Sequence, residues 1–125
     1  MTTTLYGKDI LDVQSLTDDE VHLIMETAAR YERVMKSGGR LLNMDGKTLA
    51  TLFYEPSTRT RLSFETAMLR LGGTVLSVAD AKTSSSSKKG ETIYDTGKMI
   101  EGYADVAVIR HPETGSAAEL AAGSS

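Results

Sequence analysis

The chain contains no cysteine and no tryptophan, and only two prolines, two phenylalanines and two histidines. Without cysteine there is no disulfide, no thiolate metal centre and no thiol nucleophile. That absence fits a reducing compartment, and a cytoplasmic location is expected. His22 and His111 are the only histidines and lie far apart in sequence, so a zinc site has no support. No Ser-His-Asp or Ser-Lys spacing stands out, which leaves covalent catalysis without a candidate. No apolar run approaches the ~20 residues of a membrane span. "MTTTLYGKDI" lacks the basic-then-apolar order of a signal peptide. An excess of positive charge is missing too. The formal net charge is −3, which argues against a general nucleic-acid footprint, so any anion site must be a local concentration of cations.

What is present suits one soluble domain with a modest core. The length is 125 residues, with 40% hydrophobic and 25% charged residues. Thr17-Asp18-Asp19-Glu20 reads as a capping box. Val21, Ile24, Met25, Ala28, Tyr31 and Met35 then recur at helical spacing, up to Gly38-Gly39. "GKTLATLFYE" (46–55) predicts a buried strand that stops at Pro56. "RTRLSFETAMLRLGG" predicts a helix with Leu62, Phe64, Ala67, Met68 and Leu71 as its apolar stripe. "TVLSVA" (74–79) predicts a second strand, and 80–90 a polar loop. Residues 91–103 predict a helix with Ile93, Met99 and Ile100 inward. "DVAVI" (105–109) predicts a third strand, and a last helix begins at Ser116. Strand and helix alternate, so the expected class is α/β: a parallel sheet with flanking helices, joined by right-handed crossovers.

In such sheets ligands bind beyond the carboxyl ends of the strands. Three polar clusters fall there: Ser57–Arg61, Ser84–Lys89 and Arg110-His111-Pro112. The first places three hydroxyls and two arginines in five residues at the start of a helix. Free backbone N–H groups and the positive end of the helix dipole favour an anion there, and arginine meets phosphate oxygens bidentately. Arg59 and Arg61 point in different directions, so Arg59 is the expected anion ligand and Arg61 the expected partner of Glu65. The plainer alternative is that Ser57 simply caps the helix and both arginines are solvated. "SSSSKKGE" reads either as a solvated loop or as a lid whose lysines reach a site. Arg110 either faces the rim or caps a neighbouring helix. No GxxxxGK motif is present, which removes the case for a nucleoside triphosphate. The residues therefore predict an α/β domain that binds a small phosphate-containing anion, with any catalysis electrostatic.

"FYEPSTRTRLSFETAMLRLGG", "SSSSKKGET" and "DVAVIRHPETGSAAELA" together resemble the carbamoyl-phosphate domain of the aspartate/ornithine carbamoyltransferase family, from about Thr17 to Ser125. The Ser-rich loop ending in Lys89-Gly90-Glu91 fits the aspartate branch better than the ornithine branch. The resemblance implies transfer of the carbamoyl group of carbamoyl phosphate to L-aspartate, an early step of pyrimidine synthesis, without metal, cofactor or enzyme nucleophile. It implies that Ser57, Thr58, Arg59 and Thr60 hold the phosphate, and that Thr60 and Arg110 polarise the carbamoyl oxygen. Ser85 and Lys89 would come from a neighbouring subunit of a homotrimer, with Lys89 also touching aspartate, and regulatory subunits are a further possible partner. Members of the family have two domains and are more than twice this length. On that pattern this chain is a carbamoyl-phosphate domain lacking its last strand and helix, with apolar surface and an unpaired strand left exposed. An ornithine carbamoyltransferase-like fragment and a non-catalytic phosphate-binding module are the alternatives.

Overall fold

A computed structural model describes residues 2–78 and 92–124. The chain divides into two compact units, Met1–Leu41 and Leu42–Ser125.

The first unit is built on helix α1 (Asp18–Lys36). Its start follows the sequence directly. The Thr17 hydroxyl accepts from the Glu20 N–H at 3.1 Å, and the Glu20 carboxylate accepts from the Thr17 N–H at 2.9 Å. The same carboxylate oxygen takes a hydrogen bond from Lys8 Nζ at 2.8 Å. Those bonds hold the Glu20 carboxyl below the ordinary carboxylate range, the Lys8 bond having the largest effect. Asp18 and Asp19 add negative charge to the first turn. Gly38 (φ 81°) closes the other end in the left-handed conformation. The expected apolar stripe is only partly inward. Ile24, Tyr31 and Met35 are half-buried, but Val21, Met25 and Ala28 are exposed, and no residue of α1 is fully buried.

The second unit holds a sheet of three parallel strands: β1 (Thr48–Phe53), β2 (Thr74–Val78) and β3 (Val106–Arg110). The spatial order among the described residues is β2-β1-β3. Helix α2 (Thr58–Arg70) joins β1 to β2, α3 (Ile93–Glu101) precedes β3, and α4 (Ser116–Gly123) follows it. As the central strand, β1 is covered on both faces, and every residue from Leu49 to Phe53 is buried. Its alternate residues look toward different helices. Thr51 meets α2, with its hydroxyl bonded to Glu65 at 2.7 Å. Leu52 and Tyr54 pack with Leu120 of α4, and with Ile93 and Ile100 of α3. Right-handed crossovers that leave β1 for β2 on one side and for β3 on the other need helices on opposite faces, which is what these contacts record.

The contact of α3 with α4 is a glycine crossing. A Cβ on Gly97 would run into the Leu120 carbonyl oxygen, and one on Gly123 into the Tyr94 carbonyl oxygen. Met99, expected inward, is 42% exposed, because these glycines bring the opposite side of α3 onto α4. Leu62 and Phe64, also expected inward, are 48% and 45% exposed, and Met68 is the one fully buried residue of α2. Strand β3 runs one residue further than expected, to Arg110, because the Phe53–Arg110 pairing extends the ladder. Both outer strands pair on one side only among the described residues, and Leu76 and Val106 are exposed on them.

Candidate functional site: the carboxyl rim of the sheet

The direction of strand order reverses at β1, since β2 lies on one side of it and β3 on the other. Such a switch point opens a crevice at the strand carboxyl ends. Here the parallel pairing sets Phe53 against Arg110, and the Tyr54 N–H extends it with a bond to the Arg110 carbonyl at 2.8 Å. The last residue of β3 is thereby fixed beside the turn that leads from β1 into α2.

That register brings two of the three polar clusters together. Arg110 Nη1 donates to Ser57 Oγ at 2.7 Å, and Arg110 Nε donates to Glu55 Oε1 at 2.9 Å. Ser57 occupies the N-cap position of α2 but makes no side-chain capping bond. The Arg61 N–H is the first of the helix to find an acceptor, the Ser57 carbonyl at 3.0 Å. The N–H groups of Thr58, Arg59 and Thr60 find no acceptor among the described residues. The first turn also contains no acidic residue. Arg59 is exposed and makes no hydrogen bond or ion pair among the described residues. The turn therefore presents backbone donors, a free guanidinium and the Thr58 and Thr60 hydroxyls. Arg110 keeps the N–H donors it does not spend on Glu55 and Ser57. Chemically, donors arranged in this way suit a small tetrahedral anion.

Arg61 is turned the other way. Its Nη1 lies 3.4 Å from both Glu65 oxygens and donates to Ser77 Oγ at 3.0 Å. Burial alone would raise the Glu65 carboxyl, but the Ser77 and Thr51 hydroxyls and the Arg61 guanidinium outweigh it and hold it below its usual value. Among the described residues Ser57 makes no side-chain capping bond, and Arg110 donates to Glu55 and Ser57 rather than to a helix C-terminus, so neither capping alternative holds there. Beside Arg110, on the β3 side, a cleft of ≈ 340 Å³ is lined by Glu55, His111, Glu113 and Ser116 among others. His111 lies against Tyr54, with ring centroids 4.7 Å apart, and its Nδ1 accepts from the Glu113 N–H at 3.1 Å. Ser85 and Lys89 lie outside the described residues. Sequence reasoning missed Glu55 as the partner of Arg110, and Thr51 as the sheet anchor of Glu65. Neither has a local signal, because sequence separations of 55 and 14 residues are bridged only by the strand register.

A family model described as aspartate/ornithine carbamoyltransferase, carbamoyl-P binding domain, matches residues 8–125. The chain belongs to that family. The aspartate carbamoyltransferase catalytic subunit of Picrophilus torridus is 49% identical over 113 residues, which is 90% of this chain and 37% of that protein. Among solved structures, the Methanocaldococcus jannaschii aspartate transcarbamoylase catalytic subunit aligns at a TM-score of 0.83 and 46% identity, covering 91% of this chain and 37% of its own. Trypanosoma cruzi aspartate transcarbamoylase, crystallised with carbamoyl aspartate and phosphate, aligns at 0.86 and 33% identity, covering 96% and 36%. The chain thus spans little more than a third of the length of these carbamoyltransferases.

Proposed function

We propose that the protein supplies the carbamoyl-phosphate site of an aspartate carbamoyltransferase. In this reading Ser57, Thr58, Arg59 and Thr60 bind the phosphate, while Thr60 and Arg110 polarise the carbamoyl oxygen. The aspartate amine attacks the carbamoyl carbon, the bond to the phosphate oxygen breaks, and phosphate leaves with the negative charge. Donors already in place where that charge develops supply the catalysis, with no nucleophile or metal from the protein. The observation that carries the reading is the diversion of the Ser57 hydroxyl to Arg110, which leaves the first turn of α2 unfilled beside a free Arg59. Relatives named aspartate carbamoyltransferase at about half identity support the aspartate branch over the ornithine branch. So does the fact that the neighbour from Trypanosoma cruzi was crystallised with carbamoyl phosphate and aspartate.

The reading extends to Ser85 and Lys89, assigned to the site of an adjacent subunit in a homotrimer, and to a cytoplasmic enzyme of pyrimidine synthesis. Residues 1–125 belong to its carbamoyl-phosphate domain, short of the last strand and helix, and do not include the aspartate domain. Calorimetric titration tests the core of it. Saturable heat with carbamoyl phosphate, tighter than with inorganic phosphate, is the expected result, and no heat in a folded sample rejects it. The shared site has its own test in the chain together with its aspartate domain. Lys89→Ala and Arg59→Ala proteins, each nearly inactive, are expected to regain carbamoyl-aspartate production when mixed, because one intact site forms per mixed interface. No recovery would assign Lys89 to its own subunit's site.

A further inference from the structure

Helix α2 carries the anion-binding turn at its N-terminus, yet its apolar anchoring lies at the other end. Met68 is its one fully buried residue, while Leu62 and Phe64 in the N-terminal half are 48% and 45% exposed. What ties that half to the sheet is polar. The Glu65 carboxylate accepts from the buried Thr51 hydroxyl of β1 at 2.7 Å and faces Arg61 Nη1 at 3.4 Å, and Arg61 reaches Ser77 of β2 at 3.0 Å. Arg61 in turn donates its backbone N–H to the Ser57 carbonyl. The chain of contacts runs from the two strands through Glu65 and Arg61 to the turn itself.

We propose that Glu65 is a positioning residue for the anion site: its carboxylate clamps the N-terminal half of α2 to β1 and β2 and so fixes the donors of Ser57–Thr60. The inference rests on the reading of that turn as the phosphate site. Physically, no apolar contact of comparable burial replaces the clamp there. A donor set displaced by a fraction of an ångström loses much of its complementarity to a phosphate. Glu65 also neutralises Arg61. Releasing Arg61 would add positive charge near the anion and tighten binding, so clamp and charge effects have opposite signs and one measurement separates them.

The experiment compares the parent protein with Glu65→Gln, which keeps the shape and removes the charge, and with Thr51→Val, which removes only the sheet-side hydroxyl. Amide hydrogen exchange reads the clamp without any ligand. The Arg61 N–H, bonded to Ser57, is expected to exchange about tenfold faster in both variants. The Leu71 N–H, bonded to the Ala67 carbonyl at the far end of α2, stays as in the parent. Carbamoyl phosphate is expected to bind roughly tenfold more weakly to both. Unchanged or tighter binding, or exchange that rises equally at Arg61 and Leu71, overturns the clamp. If Glu65→Gln does not fold, Thr51→Val decides by the same two criteria. A parent that binds no carbamoyl phosphate rejects the proposed function instead, and the local exchange at Arg61 still decides whether the clamp exists.

Discussion

Helices α1 and α2 begin with similar residues and use them in opposite ways. At α1 the Thr17 hydroxyl turns inward to its own helix, Glu20 returns the bond, and acidic residues fill the first turn. At α2 the Ser57 hydroxyl turns outward to Arg110, no side chain caps the helix among the described residues, and the first turn contains no acid. The first arrangement satisfies the helix end from within. The second leaves backbone donors and positive potential for something else to satisfy. A hydroxyl before a helix is thus either a structural cap or part of a receptor, and its partner tells which.

Removing the free cation of the second helix start has the largest expected effect. Arg59→Ala is expected to weaken carbamoyl phosphate binding about 10- to 100-fold, in line with the ~1.5–3 kcal/mol of a hydrogen bond to a charged group. Its melting temperature stays near the parent's, since Arg59 is exposed and unpaired among the described residues. Calorimetry beside thermal denaturation checks both halves. Equal affinity in variant and parent would remove Arg59 from the site.

The two hydroxyls make the next test, a crossed pair. Thr17→Ala is expected to cost about 1 kcal/mol of stability in denaturant unfolding. Ser57→Ala, which loses no cap, is expected to leave stability almost unchanged and to weaken anion binding several-fold. If Ser57→Ala destabilises as much as Thr17→Ala, the distinction between the two helix starts collapses.

The smallest effect is acid sensitivity at α1. The Glu20 carboxyl is held below its ordinary value of 4.5 by Lys8 and then by the Thr17 backbone. Its contribution to stability is present above that ordinary value and is lost as pH falls through the lowered one. Glu20→Gln should therefore show a slightly shallower fall of melting temperature below pH 4.5 than the parent. An identical acid limb in the two proteins would mean that the Lys8–Glu20 pair adds nothing.

Much of the fold is legible without coordinates. The capping box starts α1 where Thr17 predicts, Pro56 lies just beyond the end of β1, and the alternation of strands with helices forces a parallel sheet. The STRTR cluster lies where the sequence places it, at the junction of β1 with the first turn of α2. Burial was less legible. Leu62 and Phe64 share the helical spacing of Met68, yet they stand on α2 where its attachment to the sheet is polar. Met99 fits the inward stripe of α3 until the Gly97–Gly123 crossing decides which side of that helix is covered.

The division has a physical cause. The Thr17–Glu20 capping box, the strand break at Pro56 and the i,i+4 pairing of Arg61 with Glu65 depend on neighbours along the chain, so the amino-acid order determines them by itself. The bonds of Arg110 to Ser57 and Glu55, and of Glu65 to Thr51, join residues that only the parallel pairing of β1 with β3 and the seating of α2 on β1 bring together. Tertiary structure alone decided that Ser57 serves an arginine rather than its own helix.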